Sequence, residues 1–177
     1  MASSEVTVEE FEEITPKKAA ELASVCRGQF GTDKFKNFET WTHLLTIRHN
    51  DTLVAFLLLD TKPWYLKKEE KGKTAIVRYI CVKEKGSDHA RLLFTKAEEL
   101  ANKNKKTLLK IDPINPKVAD VYKSKYGFTE ETEDPLSLYL KKDIGGSSRL
   151  QKQTRRAKRN TRNNKGRKLR KLTTRRR

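Results

Sequence analysis

Cysteine is scarce in this sequence, and acidic residues are missing from one end of it. Its two cysteines, Cys26 and Cys81, lie far apart among apolar neighbours. They form no Cys-x-x-Cys pair, and no histidine stands at metal-ligand spacing from either. Those gaps exclude a zinc knuckle, any other metal site built on them and a thioredoxin-type motif, and predict two buried, reduced thiols. No apolar run approaches the roughly 20 residues of a membrane helix. The opening segment, Met1 to Phe11, is polar and acidic, so no secretory or transit signal is read there. Together these absences predict a soluble, intracellular protein in nucleus or cytoplasm, with no membrane partner.

The missing acids divide the chain. From Ser147 onward there are 15 Lys and Arg and no Asp or Glu. Removing those 15 from the 40 basic residues leaves 25 against 23 acidic ones before Ser147, a net charge of +2. The basicity therefore belongs to the end of the sequence. Residues 1–143 read as one domain, 144–148 as a flexible linker (Gly145-Gly146-Ser147-Ser148), and 149–177 as a disordered Lys/Arg-rich tail. The tail's basic residues include Arg155, Arg156, Lys158, Arg159, Arg162, Arg167, Lys168, Arg170, Lys171, Arg175, Arg176 and Arg177. Only Leu150, Ala157, Leu169 and Leu172 are apolar there, too few to build a core. Such a segment supplies sequence-independent phosphate contacts and counterion release. Without an aromatic residue it has no base-stacking platform. Nucleic acid or another polyanion is the expected partner; the clustered pairs also resemble a nuclear-import signal, and a merely solubilising tail is the plainer alternative.

Periodicity predicts a mixed α/β domain. A first strand is expected around Phe11 to Ile14. Thr15-Pro16 starts a helix with Ala19, Leu22, Ala23 and Cys26 inward, which Gly28 stops. A shorter helical pattern follows, with Phe35, Phe38 and Trp41 on one side. Leu44 to Ile47 and the apolar run Leu53 to Leu59 form a strand pair about the turn Asn50-Asp51. Lys62 to Lys73 is a charged connection. Ala75 to Val82 is a third strand, antiparallel to its predecessor, and Ala90, Leu93, Phe94, Ala97, Leu100 and Ala101 make a helical stripe. Thr107 to Ile111 then returns as a parallel strand through a crossover. Asn115-Pro116 caps a last helix that Gly127 stops, and two short strands, Phe128 to Glu131 and Leu136 to Leu140, close the domain.

Two segments can carry chemistry. Between Val82 and Ala90 a glycine-bearing turn opens the most regular helix. Its first backbone amides and the helix dipole suit a phosphate, although many crossovers look alike and bind nothing. The second runs from Asn115 to Tyr122 and on to Tyr126-Gly127-Phe128; from composition alone it is an ordinary capped helix with a core tyrosine.

In this order and topology, the strand ending Tyr79-Ile80-Cys81-Val82, the turn and helix after it, and the Asn…Ala…Tyr…Gly-Phe helix resemble the GCN5-related N-acetyltransferase superfamily. The resemblance covers about Glu9 to Lys142 and implies an acyl-CoA N-acyltransferase fold, a mixed sheet with flanking helices. It also implies acetyl-CoA as cofactor and an amine acceptor: a protein lysine, an N-terminus or a polyamine. It places the pantetheine arm on Ile80, Cys81 and Val82, and the pyrophosphate at Lys85, Gly86, Ser87, His89, Ala90 and Arg91. Asn115 would lie near the pantetheine, and Tyr122 would protonate the leaving thiolate as a general acid. Several positions depart from the pattern. Asp88 stands where the family's turn has its middle glycine; as an N-cap it would occupy the turn's donors, and its charge opposes a pyrophosphate. The turn is one or two residues short. The spacing from Tyr122 to Gly127 is one residue longer than usual, which leaves Tyr126 as a less favoured substitute for the acid. The strand Ala75 to Val82 has no glutamate, so the general base is unassigned.

Glu130, Glu131, Glu133 and Asp134 favour a cationic acceptor or are simply a solvated acidic turn; Trp64 and Tyr65 line the cleft or cap the core. A small domain with such a tail also resembles packaged proteins of large DNA viruses. The rival to an enzyme is a non-enzymatic protein of the same fold that has lost cofactor binding and serves as a nucleic-acid-binding or packaging module.

Overall fold

The computed structural model describes residues 5–10, 14–26, 41–84, 86–131 and 139–145. The tail, the second helical pattern with Phe35 and Phe38, Gly28, Lys85, Glu133 and Asp134 lie outside these residues.

Seven strands form one mixed sheet in the order β1-β2-β3-β4-β5-β7-β6. They are β1 (Val6–Glu10), β2 (His43–His49), β3 (Thr52–Asp60), β4 (Thr74–Val82), β5 (Leu108–Ile111), β6 (Thr129–Glu130) and β7 (Leu140–Asp143). The helices are α1 (Pro16–Val25), α2 (Lys68–Lys73), α3 (His89–Lys103) and α4 (Pro116–Tyr126). β4 and β5 run parallel, joined by α3, and the other neighbours pair antiparallel.

The central strands are apolar without alternation because both faces are covered. On one face Leu45, Ile47, Leu57, Leu59, Ala75, Val77, Leu109 and Ile111 pack with Leu93, Phe94, Ala97 and Ala101 of α3. On the other, Leu44, Phe56, Leu58 and Cys81 meet Ala19, Leu22 and Val25 of α1. The β2–β3 hairpin turns through Asn50 and Asp51, at φ 48° and 62°; the short polar side chains of these residues tolerate the left-handed region. Thr15 caps α1 by accepting from Lys18 N, and Asn115 Oδ1 accepts from Val118 N at 3.0 Å to cap α4. Gly127, at φ +74°, ends α4.

Three expectations change. The first described strand is Val6–Glu10, ahead of the expected Phe11 to Ile14, of which residues 11–13 lie outside the described residues; an edge strand needs only one buried face, so Val6 and Val8 suffice. The charged connection holds a short helix, α2, with no buried residue and so no apolar stripe to announce it. The last described strand is Leu140–Asp143, running on beyond the expected end at Leu140; residues 136–138 of that expected strand lie outside the described residues. The thiol expectation is overturned as well. Cys26 and Cys81 are joined in a disulfide, with Cα atoms 5.2 Å apart. Their separation of 55 residues hid the fact that the end of α1 lies directly against β4.

Candidate active site

The site begins where β4 and β5 part. Their parallel pairing runs from Thr74 and Leu108 to Val77 and Ile111 and stops, whereas β4 stays paired with β3 as far as Val82. A register shift between Leu58 and Leu59 leaves Arg78 without a β3 partner, a bulge in β4 just past the fork. Among the described residues, Arg78 to Val82 is thus an arm with a strand neighbour, β3, on one edge only. The groups on its other edge can take an extended ligand as a further strand would be taken. Pro113, close behind β5, has no N–H with which to continue a ladder.

Two aromatic and ionic contacts fix the bulge. Arg78 Nη2 donates to Asp60 Oδ2 at 3.2 Å, and the guanidinium stacks over the Tyr65 ring at 4.5 Å. Asp60 is fully buried and its Oδ1 accepts from Lys62 N. Burial pushes the Tyr65 hydroxyl well above its ordinary pKa despite the nearby Arg78. Tyr65 therefore covers Arg78, while Trp64 stands 68% exposed against it.

Beyond Val82 the arm enters the turn at the start of α3. Gly86 has φ +84° and open space around its Cα, so the backbone path rather than crowding calls for glycine. Ser87 Oγ donates to the Glu84 carbonyl at 2.9 Å. Asp88 occupies the N-cap position but makes no capping hydrogen bond; its carboxylate pairs with Arg91 at 3.1 Å, both side chains exposed. The expectation that Asp88 occupies the turn's donors is thereby corrected: the first-turn amides of α3 are left by it for another acceptor. His89 serves such a site through its backbone only. Its ring is buried against His49, 5.1 Å between centroids, and among the described residues Nδ1 has no hydrogen-bond partner. Cys81 is likewise limited to its backbone, because its sulfur is bonded to Cys26.

Ile80, Val82 and Tyr122 pack on the same apolar layer. Tyr122 lies against Phe94, Tyr126 and Phe128. Burial pushes its hydroxyl up to about 12, so it holds its proton at neutral pH. Tyr126 is also raised, first by burial, then by Asp88, with Arg91 acting in the opposite sense. The Asn115 side chain is engaged in its own cap.

Two groups at the fork escaped the sequence reading. Asp112 follows the last paired residue of β5. Although exposed, it has lost enough hydration that its carboxyl lies above the usual range. Burial raises Tyr79, on β4, with Arg78 lowering it and Asp112 raising it further. An Asp-Pro pair directly after a strand that leaves its neighbour was the available signal. The acidic hairpin offers less than its composition promised. Glu130 pairs with Lys123 at 3.0 Å and Glu131 with Lys110 at 2.6 Å, so neither described carboxylate is spare for a cationic acceptor.

No protein-family model matches the chain, and no curated protein matches it. Solved structures do match in fold. The ribosomal-protein-S18-alanine N-acetyltransferase of Escherichia coli shares 15% identity at TM-score 0.55, over 79% of this chain and 94% of that one. Tetrahymena GCN5 shares 14% at 0.56, over 79% and 96%. The PaiA N-acetyltransferase of Thermoplasma acidophilum, solved with coenzyme A, shares 14% at 0.53, over 78% and 99%. The chain has the acyl-CoA N-acyltransferase fold of the GCN5-related superfamily. Among the described residues no helix is long and apolar enough to cross a membrane.

Proposed function

We propose that the domain is an acetyl-CoA-dependent N-acetyltransferase. One observation carries the reading: a strand arm that, among the described residues, has a strand neighbour on one edge only leads directly into a glycine turn whose helix amides are not capped by the Asp88 side chain. The residues fit a coenzyme A thioester, which would supply the acetyl group. The arm of Ile80, Cys81 and Val82 offers backbone groups to an extended chain. Gly86 to Arg91 offer amides and the positive end of α3 to a pyrophosphate. Asp112, with its raised carboxyl, takes a proton from the acceptor amine more readily than an ordinary aspartate would. Tyr122 keeps its proton at neutral pH and can deliver it to the leaving sulfur. The acceptor is proposed as an amine; a protein lysine, an N-terminus and a polyamine all fit that chemistry.

The test is a thermal-shift titration of the full chain with acetyl-CoA and with coenzyme A. The melting temperature should climb with ligand concentration. Asp88→Gly should tighten binding by removing a negative charge beside the pyrophosphate. No shift for either protein at millimolar ligand would leave the non-enzymatic reading. For the tail we propose polyanion binding, on the strength of its 15 uncompensated positive charges.

A further inference from the structure

Cys26 is the C-cap of α1 and Cys81 the buried residue of the β4 arm, between Ile80 and Val82. The α1-side apolar cluster draws most of its strand members from β2 and β3; from β4 it includes only Cys81 and, partly buried, Tyr79. Past the fork, β4 has β3 on one edge and, among the described residues, no strand on the other. The Cys26–Cys81 bond is therefore a covalent hold by α1 on a segment that the sheet supports from one side. We propose that this disulfide is a redox-controlled clamp that positions the β4 arm, so that the oxidised chain presents its free edge ready-made and the reduced chain does not.

The chemistry is a balanced exchange. A dithiol reductant breaks the Cys26–Cys81 bond, gives one proton to each sulfur and closes its own disulfide. Both cysteines are nearly buried, at 4% and 7% exposure, so attack proceeds through opening of the α1 end, where a helix frays first. Losing the clamp adds freedom to the arm, and a ligand that needs the arm in one conformation must then remove that freedom. The consequence for coenzyme A rests on the acetyltransferase reading; the consequence for the arm itself does not.

The experiment uses the full chain in three forms: as purified without reductant, treated with a dithiol, and Cys26→Ala/Cys81→Val. Thiol alkylation followed by mass measurement establishes that the bond is present in the first form and absent in the others. Hydrogen exchange of the amides of residues 78–82 is the ligand-free readout. It should speed up by about ten-fold or more when the bond is lost, while the core of α3 stays protected. Coenzyme A affinity, measured far below the melting temperature, should fall by about three- to ten-fold. A purely structural bond would lower the melting temperature and leave both readouts unmoved, and that overturns the clamp, as does finding both thiols free in the first form. Faster exchange with no coenzyme A binding in any form upholds the clamp and defeats the cofactor reading.

Discussion

Lys110 lies in the middle of β5 between Leu109 and Ile111, and its ammonium meets Glu131 at 2.6 Å. The two side chains are 8% and 11% exposed, so water offers poor replacement for either partner. Lys110→Met keeps the volume and leaves the carboxylate without its counter-charge. Breaking a buried pair from one side costs about 3–5 kcal/mol, a large share of the roughly 5–15 kcal/mol that holds a domain together. At about 3 °C per kcal/mol for a domain near this size, the melting temperature should fall by about 9–15 °C. Removing both charges with Lys110→Met/Glu131→Leu should recover most of that loss, since an apolar pair of similar volume is close to neutral. Urea unfolding of the four proteins closes a double-mutant cycle, with an expected coupling of at least about 2 kcal/mol. A loss below about 1 kcal/mol for Lys110→Met, or a double variant no better than the single one, would show that the carboxylate finds water or another cation. The reasoning would then be wrong.

Asp112→Asn tests the fork carboxyl. Its folded pKa is raised by desolvation, so the folded chain keeps this proton to higher pH than the unfolded one, and stability is lost as pH rises through that window. The variant should match the parent at about pH 3 and melt higher at about pH 7, while losing acetyl transfer; an unchanged difference across pH refutes the shift. Tyr122→Phe should leave coenzyme A affinity intact and slow turnover about ten- to a thousand-fold; a normal rate, with Tyr126→Phe inactive, would move the acid to Tyr126. Asn115→Ala removes the α4 cap and should cost about 1 kcal/mol in urea unfolding. The full chain should bind duplex DNA without sequence preference, with log affinity falling against log salt at a slope of about −5 to −9 between about 50 and 300 mM. A chain ending at Gly146 should barely bind; tight binding by it would place the site elsewhere.

Much of this architecture was legible because its causes are local. β3 reads as one apolar run because it is buried from Leu53 to Asp60 on both faces, and α4 is bracketed by an asparagine cap and a left-handed glycine. What escaped was relational. The fork is a statement about where pairing ends, and no residue pattern within β4 marks it. The disulfide needed α1 and β4 placed side by side before Cys26 and Cys81 could be neighbours. Lys110 inside Leu-Leu-Lys-Ile did carry a signal, since a charge in a buried strand calls for a partner. Choosing Glu131 from among four nearby acids still required the register of the last strands. Asp88 misled for the opposite reason: its position is that of a cap, but its carboxylate turns outward to Arg91.

That outward turn bears on whether the site is in use. A helix serving only the core gains about 1 kcal/mol by letting an N-cap aspartate accept from its own first turn. Here Asp88 forgoes that bond for an exposed ion pair with Arg91, worth little in water. The fork forgoes stability in the same way. β4 continues five residues beyond Val77, its last residue paired with β5, and a sheet built for packing alone would extend that ladder and satisfy those groups internally. Instead β5 ends after four residues and the chain leaves through Asp112 and Pro113. Among the described residues, then, the Asp88 side chain does not cap the helix start and β5 does not continue along the strand edge, two independent features on one stretch of chain. A polar ligand with an anionic end and an extended arm would fit both at once. Packing requires neither.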